Sequence, residues 1–326
     1  MEIIKPNVEI IMEPDNLKRI EIAGRTCYKS ESQITADSAK KFYQNLIRRG
    51  HTSVLEHSNL ICTPVHVDHD YIGGMISCMK DQQLLNHDVN SDLPIYIRTS
   101  GLLYSGNLRS WRNMIKILVS SPFSIPYKRH DSKVYTCALF GHMPEFADLF
   151  ENIDDATKAD ATDLRNQGIV VVSGVQSDDP IHNIITARFT CSRAMSHELV
   201  RHRLMGISQE SQRYVKYGEL TVIEPHWWEN LEYPKYEVAR TVFLKSNLEA
   251  EHNYSAYIDA GLPPQSARGA LTNDTKTEVV LTGTIPAWKR FLDLRDSSAA
   301  HPDIQILAKL FRERVYAIPE LQKWGL

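Results

Sequence analysis

The spacing of apolar residues predicts a chain that combines long helices with a β-sheet. Over residues 36–49 apolar side chains recur at helical spacing while lysines and arginines lie mostly elsewhere, which predicts an amphipathic helix ending at Gly50. Residues 236–261 show the same pattern over a longer run. Stretches rich in β-branched residues at 59–67 and 184–191 predict two strands. The mixture is typical of an α/β protein.

A basic tripeptide, Arg201-His202-Arg203, follows the second of these predicted strands and a short helix. Neighbouring side chains on a helix point about 100° apart, so these three cannot share one buried face. At the end of a helix they can instead surround an anion. If residues 209–213 are extended, Gln209, Ser211 and Arg213 lie on one face. An amide, a hydroxyl and a guanidinium together suit a phosphate and a polar ring.

Composition narrows the choice of ligand and compartment. The 326 residues carry a net charge of −3, so no overall basic field attracts nucleic acid, and an anionic ligand needs a local arginine cluster. No apolar run is long enough to span a membrane, and the first residues lack a signal-peptide core. The five cysteines are scattered and lack C-x-x-C spacing, which predicts reduced thiols and a cytoplasmic protein.

The basic stretch carries a family resemblance. Arg201-His202-Arg203 is followed after seven residues by Ser211, with Glu198-Leu199-Val200 before it and Gln212-Arg213-Tyr214-Val215 after it. This arrangement resembles the signature of the flavin-dependent thymidylate synthases.

Two further stretches resemble the same family. They are His51-Thr52-Ser53-Val54-Leu55-Glu56-His57 and Ala23-Gly24-Arg25-Thr26-Cys27-Tyr28. The resemblance extends over roughly residues 20–62 and 184–310 and says little about the segment between them. We therefore expect one catalytic domain whose core is residues 1–62 and 184–326, interrupted by an insertion over about 63–183.

The resemblance implies a fold and a reaction. It implies an α+β fold with a central, mainly antiparallel sheet flanked by long helices and no Rossmann domain. The absence of a G-x-G-x-x-G motif agrees with that. It also implies methylation of dUMP to dTMP, with methylenetetrahydrofolate as carbon donor and NADPH-reduced FAD as hydride source. The implied assembly is a homotetramer with shared active sites. From charge, hydropathy and ligand spacing we expect no nucleic-acid, membrane or metal partner.

The resemblance also assigns residues to two parts of a site. For dUMP the implied residues are Glu198, Arg201, Gln209, Glu210, Ser211, Gln212, Arg213, Arg268 and Arg295. For FAD they are Ser53, Arg201, His202, Arg203, Gln209 and Arg290. Arg295, in the block Phe291-Leu292-Asp293-Leu294-Arg295, is the implied catalytic residue. Its guanidinium would contact the pyrimidine and stabilise its ionised form.

The chain departs from the family around the flavin. The family commonly places an asparagine and an arginine, two residues apart, where this chain has Thr284 and Pro286, and a histidine where it has Ala299. The stretch 103–111 resembles 280–288, since both read as a strand, a glycine turn and a helix start that ends in tryptophan. Two explanations stay open. The similarity is chance, or Asn107 and Arg109 supply the lost flavin contacts.

Two other functions compete with this one. A non-catalytic nucleotide or nucleic-acid binder could use the arginines with Trp227-Trp228 as a stacking pair, although the net charge opposes it. A metal hydrolase would draw on a loose set of histidines and an aspartate that lacks H-E-x-x-H spacing. That set is His51, His57, His66, Asp68 and His69. A cysteine nucleophile is disfavoured because no cysteine has an obvious activating histidine or arginine partner in the sequence beyond Cys191, which lies near Arg193.

Overall fold

The structure, a computed structural model, describes residues 1–64, 71–81, 97–120, 131–169, 171–229, 232 and 234–326. Its strands are β1 Glu2–Ile4, β2 Asn7–Ile10, β3 Leu60–Pro64, β4 Arg98–Ser100, β5 Leu103–Gly106, β6 Val171–Ser173, β7 Ile184–Ser192, β8 Gly206–Gln209, β9 Thr221–Ile223 and β10 Lys276–Thr284. Its helices are α1 Asn16–Tyr28, α2 Ser38–Arg48, α3 Tyr71–Asp81, α4 Leu108–Ser120, α5 Ser132–Phe140, α6 Asp155–Asn166, α7 Arg193–Leu199, α8 Lys235–Asp259, α9 Pro264–Ala267, α10 Ile285–Arg295, α11 Pro302–Tyr316 and α12 Pro319–Gln322. Short 3-10 helices cover Glu31–Gln33, Thr52–His57, Ala147–Leu149, Pro180–His182 and Arg268–Ala270.

The chain forms two compact units. Unit 1 comprises Met1–His57 and Ile184–Leu326, and unit 2 comprises Ser58–Asn183. Helices surround sheets whose strands are mainly antiparallel, which confirms the predicted fold class. Division of a single domain by an insertion over residues 63–183 stays a prediction. Within the described ranges, every helix is too short or too polar to cross a lipid bilayer.

The sheet of unit 1 has the strand order β2-β7-β10-β8, and each neighbouring pair is antiparallel. The long central strands β7 and β10 pair over their whole length, from Ile184 opposite Thr284 to Ser192 opposite Lys276. A separate parallel pair joins β1 to β9. The central strands therefore fix the points at which α7 and α10 begin.

An aromatic core holds α10 and α11 against this sheet. Phe189 of β7, Trp288 and Phe291 of α10 and Phe311 of α11 are all fully buried. The Trp288 and Phe311 rings stack with their centroids 4.1 Å apart. Such a pair contributes roughly 0.5–1.5 kcal/mol beyond its burial. The C-terminal end of α10, which carries Arg295, is therefore rigidly placed.

Helix α7 is short because its ends are specified locally. The hydroxyl of Ser192 accepts a hydrogen bond from the amide of Met195, which caps the first turn. The helix ends at Leu199, so Arg201 and Arg203 lie in the following turn, where both are exposed. This confirms that the basic tripeptide follows the end of a helix.

The extended conformation considered for residues 209–213 ends at Gln209. Strand β8 ends at Gln209, and Ser211–Tyr214 form a turn. The carbonyl of Ser211 accepts hydrogen bonds from the amides of Tyr214 and Val215, while its own amide donates to the carbonyl of Cys27. Because the turn replaces the period-two strand geometry, the side chains after Gln209 are not aligned on one face.

Unit 2 contains a four-stranded antiparallel sheet with the order β4-β5-β3-β6. Helix α4 follows β5 and buries Trp111, whose ring packs against Phe140 of α5 with centroids 5.5 Å apart. Phe146 packs edge-on against Phe140. The unit therefore has its own aromatic core.

Candidate active site

Three side chains predicted for the site meet at the ends of α7 and α10. The Arg295 Nη1 donates to Glu198 Oε2 at 2.5 Å, and its Nη2 donates to the Glu198 carbonyl at 3.1 Å. The third nitrogen, Nε, donates to His202 Nε2 at 3.0 Å. Because all three nitrogens are engaged, the plane of the guanidinium is fixed. Two of its five N–H groups stay free of these bonds and can face a ligand.

His202 is a neutral imidazole in this arrangement. Burial, assisted by the charges of Arg295 and Arg290, lowers the pKa of His202 to about 4. Its Nε2 accepts a hydrogen bond from Arg295 Nε, so the proton of the neutral ring is on Nδ1. The ring also packs edge-on against Phe291, with centroids 5.1 Å apart. The histidine therefore links the arginine to the aromatic core and carries no charge at neutral pH.

Several predicted arginines have no carboxylate partner within the described ranges of the chain. They are Arg201, Arg203, Arg268 and Arg290, and all four are exposed. Arg290 lies near enough to His202 to influence its pKa. Arginines without a described carboxylate partner contribute positive potential that favours phosphate groups.

Arg193 also belongs to this basic group, although the sequence analysis did not include it in the site. It is half-buried at the start of α7, and its Nη1 donates to the carbonyl of Glu210 at 3.5 Å. Burial, and then the charge of Arg268, lower the pKa of Arg193. The charge of Arg268 is therefore close enough to influence Arg193. A cation in the first turn of a helix interacts unfavourably with the helix dipole. This unfavourable position is the sequence signal that could have identified Arg193 as a site residue.

Gln209 and Glu210 lie where β8 ends, and both are engaged with the protein. The Gln209 amide donates to the hydroxyl of Ser196 at 2.8 Å. Glu210 is only 2% exposed, and its carboxylate binds Lys276 Nζ and the Tyr217 hydroxyl, each at 3.0 Å. Glu210 thus anchors the strand end in the structure. Its predicted contact with a nucleotide stays a prediction.

The turn after β8 presents the remaining predicted polar groups. Ser211 Oγ accepts from the amide of Arg213 at 3.3 Å, and Arg213 is exposed above the Tyr214 ring. Tyr214 contacts Tyr28, with ring centroids 5.3 Å apart. The side-chain nitrogen of Gln212 is buried without a hydrogen-bond partner in the described residues. An unsatisfied buried amide is a donor available to a ligand.

The histidine-rich block packs against the same strand. Gly206 of β8 has no room for a side chain, because a Cβ would lie 2.7 Å from the Glu56 carbonyl oxygen. His57 is fully buried, with Nδ1 2.8 Å from Thr282 Oγ1 and Nε2 2.9 Å from Ser208 Oγ. Burial lowers the pKa of His57 to about 3. Ser53, predicted to contact the flavin, is exposed in the same 3-10 helix.

A cavity of about 620 Å³ lies between α1 and α2. Its lining includes Arg25, Lys41, Arg49 and His51, so it is rich in basic groups. Tyr28 lines it too and contacts Tyr214, which places the cavity next to the turn after β8.

The described thiols are poor nucleophiles. Burial raises the pKa of Cys27 and Cys137, and it raises the pKa of Cys62 and of Cys191 to about 12. Arg193 opposes this effect at Cys191 but does not overcome it. Since a thiolate is the reactive species, these side chains do not suit attack on a ring carbon.

The residues of the two competing functions are placed elsewhere or are otherwise engaged. Trp227 and Trp228 pack edge-on against Phe243, so they belong to a small core. Both ring nitrogens of His57 are bonded to hydroxyls. Of the other groups suggested for a metal, His51 is exposed, while His66, Asp68 and His69 lie outside the described residues.

Asn107 and Arg109 lie in unit 2, at the start of α4. The Asn107 side-chain oxygen accepts from the amide of Ser110 at 2.8 Å, which is the geometry of a helix cap. Thr284, at the start of α10, makes no such bond. Capping accounts for the asparagine, and the proposed flavin contacts of this pair stay a prediction.

Comparison with protein families gives a decisive match. The model of the family described as Thymidylate synthase complementing protein matches residues 9–69 and 181–319. The chain belongs to this family. The matched residues contain α1, α2, the histidine-rich block and all strands of the unit 1 sheet except the first two residues of β2. The family resemblance found in the motifs is therefore confirmed.

Individual relatives share part of the chain. A flavin-dependent thymidylate synthase of Corynebacterium aurimucosum is 36% identical over 139 residues, which are 38% of this chain and 55% of the relative. The synthase of Mycobacterium marinum is 32% identical over 139 residues, covering 39% and 56%. The synthase of Mycobacterium tuberculosis is 35% identical over 127 residues, covering 36% and 51%. The chain thus spans about half the length of these relatives.

One solved structure also matches part of the chain. It is a UMP/dUMP methylase, PolB, from Streptomyces cacaoi bound with 5-Br UMP. The TM-score is 0.40 at 19% identity, and the match covers 43% of this chain and 71% of that one.

Proposed function

We propose that this protein is a flavin-dependent thymidylate synthase that converts dUMP to dTMP. The carbon donor would be methylenetetrahydrofolate, and NADPH would reduce the FAD. The observation that carries the proposal is the fixed Glu198–His202–Arg295 cluster beside unpaired arginines in a family member. The assembly expected from the family is a homotetramer.

The basic groups support binding of a nucleotide phosphate. Burial lowers the pKa of Arg193, and repulsion by the positive charge of Arg268 lowers it further. A phosphate between or beside them would relieve that repulsion and accept charge-assisted hydrogen bonds. Gln212 offers a buried amide with no other described partner. This set suits a monoanionic or dianionic phosphate with a polar ring attached.

Arg295 is the residue best placed to act on the pyrimidine ring. Glu198 and His202 hold its guanidinium so that it needs no reorganisation when charge develops on the ring. A preorganised cation stabilises an anion in a water-poor site far better than a mobile one. We assign it to stabilising the ring ionised at N3. Neutral His202 supports this role because it adds no competing positive charge.

The donor set also suits an anionic cofactor. Arg201 and Arg203 are exposed in the turn after α7 and have no described carboxylate partner, so they can bind a diphosphate. Ser53 and Arg290 are further exposed polar groups predicted for the flavin. A bound flavin would supply the hydride. The raised pKa values of the buried thiols disfavour a cysteine nucleophile, so the reaction would depend on the cofactor.

The test of the proposal begins with the purified full chain. A yellow protein with a flavin spectrum should form dTMP from dUMP only when methylenetetrahydrofolate and NADPH are both present, measured by chromatography. A colourless protein that takes up no added FAD would overturn the proposal. Nucleotide binding without turnover, in flavin-loaded protein, would instead favour the non-catalytic nucleotide binder.

Replacing Arg193 by alanine should weaken dUMP binding roughly tenfold or more, because a charge-assisted hydrogen bond contributes roughly 1.5–3 kcal/mol. Flavin retention should change little. Equilibrium dialysis with flavin-loaded protein measures both quantities. Lys245→Ala, which removes an exposed charge on α8, is the matched control. Equal dUMP affinities of Arg193→Ala and the unmodified protein would show that Arg193 does not contribute to dUMP binding.

Replacing Arg109 by alanine should reduce the flavin retained on purification if unit 2 supplies the missing flavin contact. Arg109 is half-buried in the first turn of α4, next to the Asn107 cap. Lys116→Ala removes an exposed charge from the same helix and should leave retention unchanged. The flavin-to-protein absorbance ratio gives the result. Unchanged flavin retention in Arg109→Ala would contradict a flavin contact from Arg109.

A further inference from the structure

The two sheets of the chain share one strand order. In unit 1 the order is β2-β7-β10-β8, and in unit 2, read from the other edge, it is β6-β3-β5-β4. All neighbouring pairs in both sheets are antiparallel. In both, the third strand of this order runs directly into a helix: β10 into α10, and β5, after Asn107, into α4.

A buried tryptophan occupies the same place in each unit. In unit 1, Trp288 lies five residues after Gly283, which is near the end of β10. In unit 2, Trp111 lies five residues after Gly106, which ends β5. Trp288 Nε1 donates at 3.0 Å to the carbonyl of Ile185, the residue paired with Gly283.

The second unit repeats this geometry. Trp111 Nε1 donates at 3.2 Å to the carbonyl of Leu60, the residue paired with Gly106. Both tryptophans are fully buried. The two tryptophans share their spacing from the glycine, their strand register and their hydrogen bond. Chance is therefore a poor explanation for the similarity of residues 103–111 and 280–288.

A buried histidine also recurs. His57 Nδ1 lies 2.8 Å from the hydroxyl of Thr282, and His182 Nδ1 lies 2.7 Å from the hydroxyl of Ser105. Thr282 and Ser105 each directly precede the glycine described above. Each histidine is fully buried and ends a 3-10 helix. In the sequence, His57 of unit 1 comes shortly before β3 of unit 2. His182 of unit 2 comes shortly before β7 of unit 1.

The two units differ in the groups that suit an anion. Between β7 and β10 the sequence contains Arg193, Arg201, Arg203, Arg213, Arg240 and Arg268. Between β3 and β5 it contains a single arginine, Arg98, and a single lysine, Lys80. Arg98 donates to Ser105 Oγ at 3.1 Å and to Asn59 Oδ1 at 2.7 Å, so its guanidinium is engaged in hydrogen bonds within unit 2.

The position of the catalytic arginine is also changed. Arg295 lies seven residues after Trp288, and the residue seven after Trp111 is Leu118. Leu118 is fully buried, and an apolar side chain in a core cannot stabilise an ionised ring.

We propose that Ser58–Asn183 is a second, degenerate copy of the unit 1 fold that has no nucleotide site of its own, so that each chain binds one nucleotide. The features common to both units, the tryptophan and histidine bonds, hold the fold. The arginines present only in unit 1 serve the ligand. The number of sites rests on the function proposed above, whereas the relation between the sheets does not. A flavin contact from Arg109 would add no second nucleotide site.

The site count is tested with the flavin-loaded full chain and radiolabelled dUMP in equilibrium dialysis. We expect one dUMP per chain at saturation, and Arg268→Ala should weaken that single site at least tenfold. Two dUMP per chain, or a second site that survives in Arg268→Ala, would overturn the proposal. No dUMP binding at all would count against the proposed function. The structural relation between the two units would then be tested by the thermal unfolding of the tryptophan variants.

The relation between the units is tested without ligand by a matched pair of variants. Trp288→Phe and Trp111→Phe each remove one indole N–H and leave one buried carbonyl without its donor. We expect both variants to lower the midpoint of thermal unfolding by several degrees. A Trp111→Phe protein as stable as the unmodified one, beside a destabilised Trp288→Phe protein, would refute the equivalence of the two positions.

Discussion

Replacement of Arg295 by alanine is expected to lower the rate of dTMP formation by roughly 10²- to 10³-fold, the usual loss when a preorganised stabilising group is removed. The structure gives the physical reason. Glu198 and His202 bind all three nitrogens of the guanidinium and fix its plane. Arg295→Lys keeps the charge but cannot make the same three bonds, so it should recover only a small part of the rate.

The loss should appear in the turnover number measured at saturating dUMP and folate, with flavin content measured alongside. Loss of Arg295 should also raise the pKa of His202, because the arginine charge helps to lower it to about 4. NMR titration of His202 reports this shift independently of activity. A folded, flavin-containing Arg295→Ala enzyme with turnover within threefold of the unmodified enzyme would exclude the assigned role.

The sequence carried the local features of the site well. The sequence predicted a short helix before the basic tripeptide, and α7 ends at Leu199, directly before it. Capping and periodicity depend on residues a few positions apart, so they can be interpreted without a structure. The family motifs then grouped Glu198, His202 and Arg295, which the fold brings into direct contact.

Features that depend on distant residues were missed. The turn at Ser211 forms partly because its amide bonds to the carbonyl of Cys27, far away in sequence. Arg268 comes close enough to influence the pKa of Arg193 only through the packing of unit 1. Glu210 is drawn into a buried pair with Lys276 on the adjacent strand. A strand pattern or a motif contains no information on such partners.

The similarity between residues 103–111 and 280–288 shows the same limit. The sequence revealed a strand, a glycine and a tryptophan in both places, but chance was an equally good explanation. The strand register and the acceptors of the two indole N–H groups, Leu60 and Ile185, distinguish the explanations. Neither acceptor could be predicted from the tryptophans alone.

Acidification is expected to destabilise unit 1 through His57. Its ring is fully buried between the hydroxyls of Thr282 and Ser208, and burial lowers its pKa from 6.5 to about 3. The unfolded chain therefore binds a proton between these pH values while the folded chain does not. Stability conferred by neutral His57 is fully present above pH 6.5 and is lost as the pH falls. One proton corresponds to about 1.4 kcal/mol per pH unit, hence roughly 2–3 kcal/mol between pH 6.5 and 4.5.

Urea unfolding at a series of pH values measures this effect. Other groups also titrate, so the informative quantity is the difference from His57→Gln, whose stability should fall less steeply with acid. His182→Gln is the matched control in unit 2, because burial lowers the pKa of His182 while the charge of Asp179 partly offsets that lowering. It should flatten the slope less. NMR of the unmodified protein should show a His57 ring that stays neutral at pH 5. Equal slopes for the unmodified protein and His57→Gln, or a ring that titrates near pH 6.5, would contradict a buried neutral histidine.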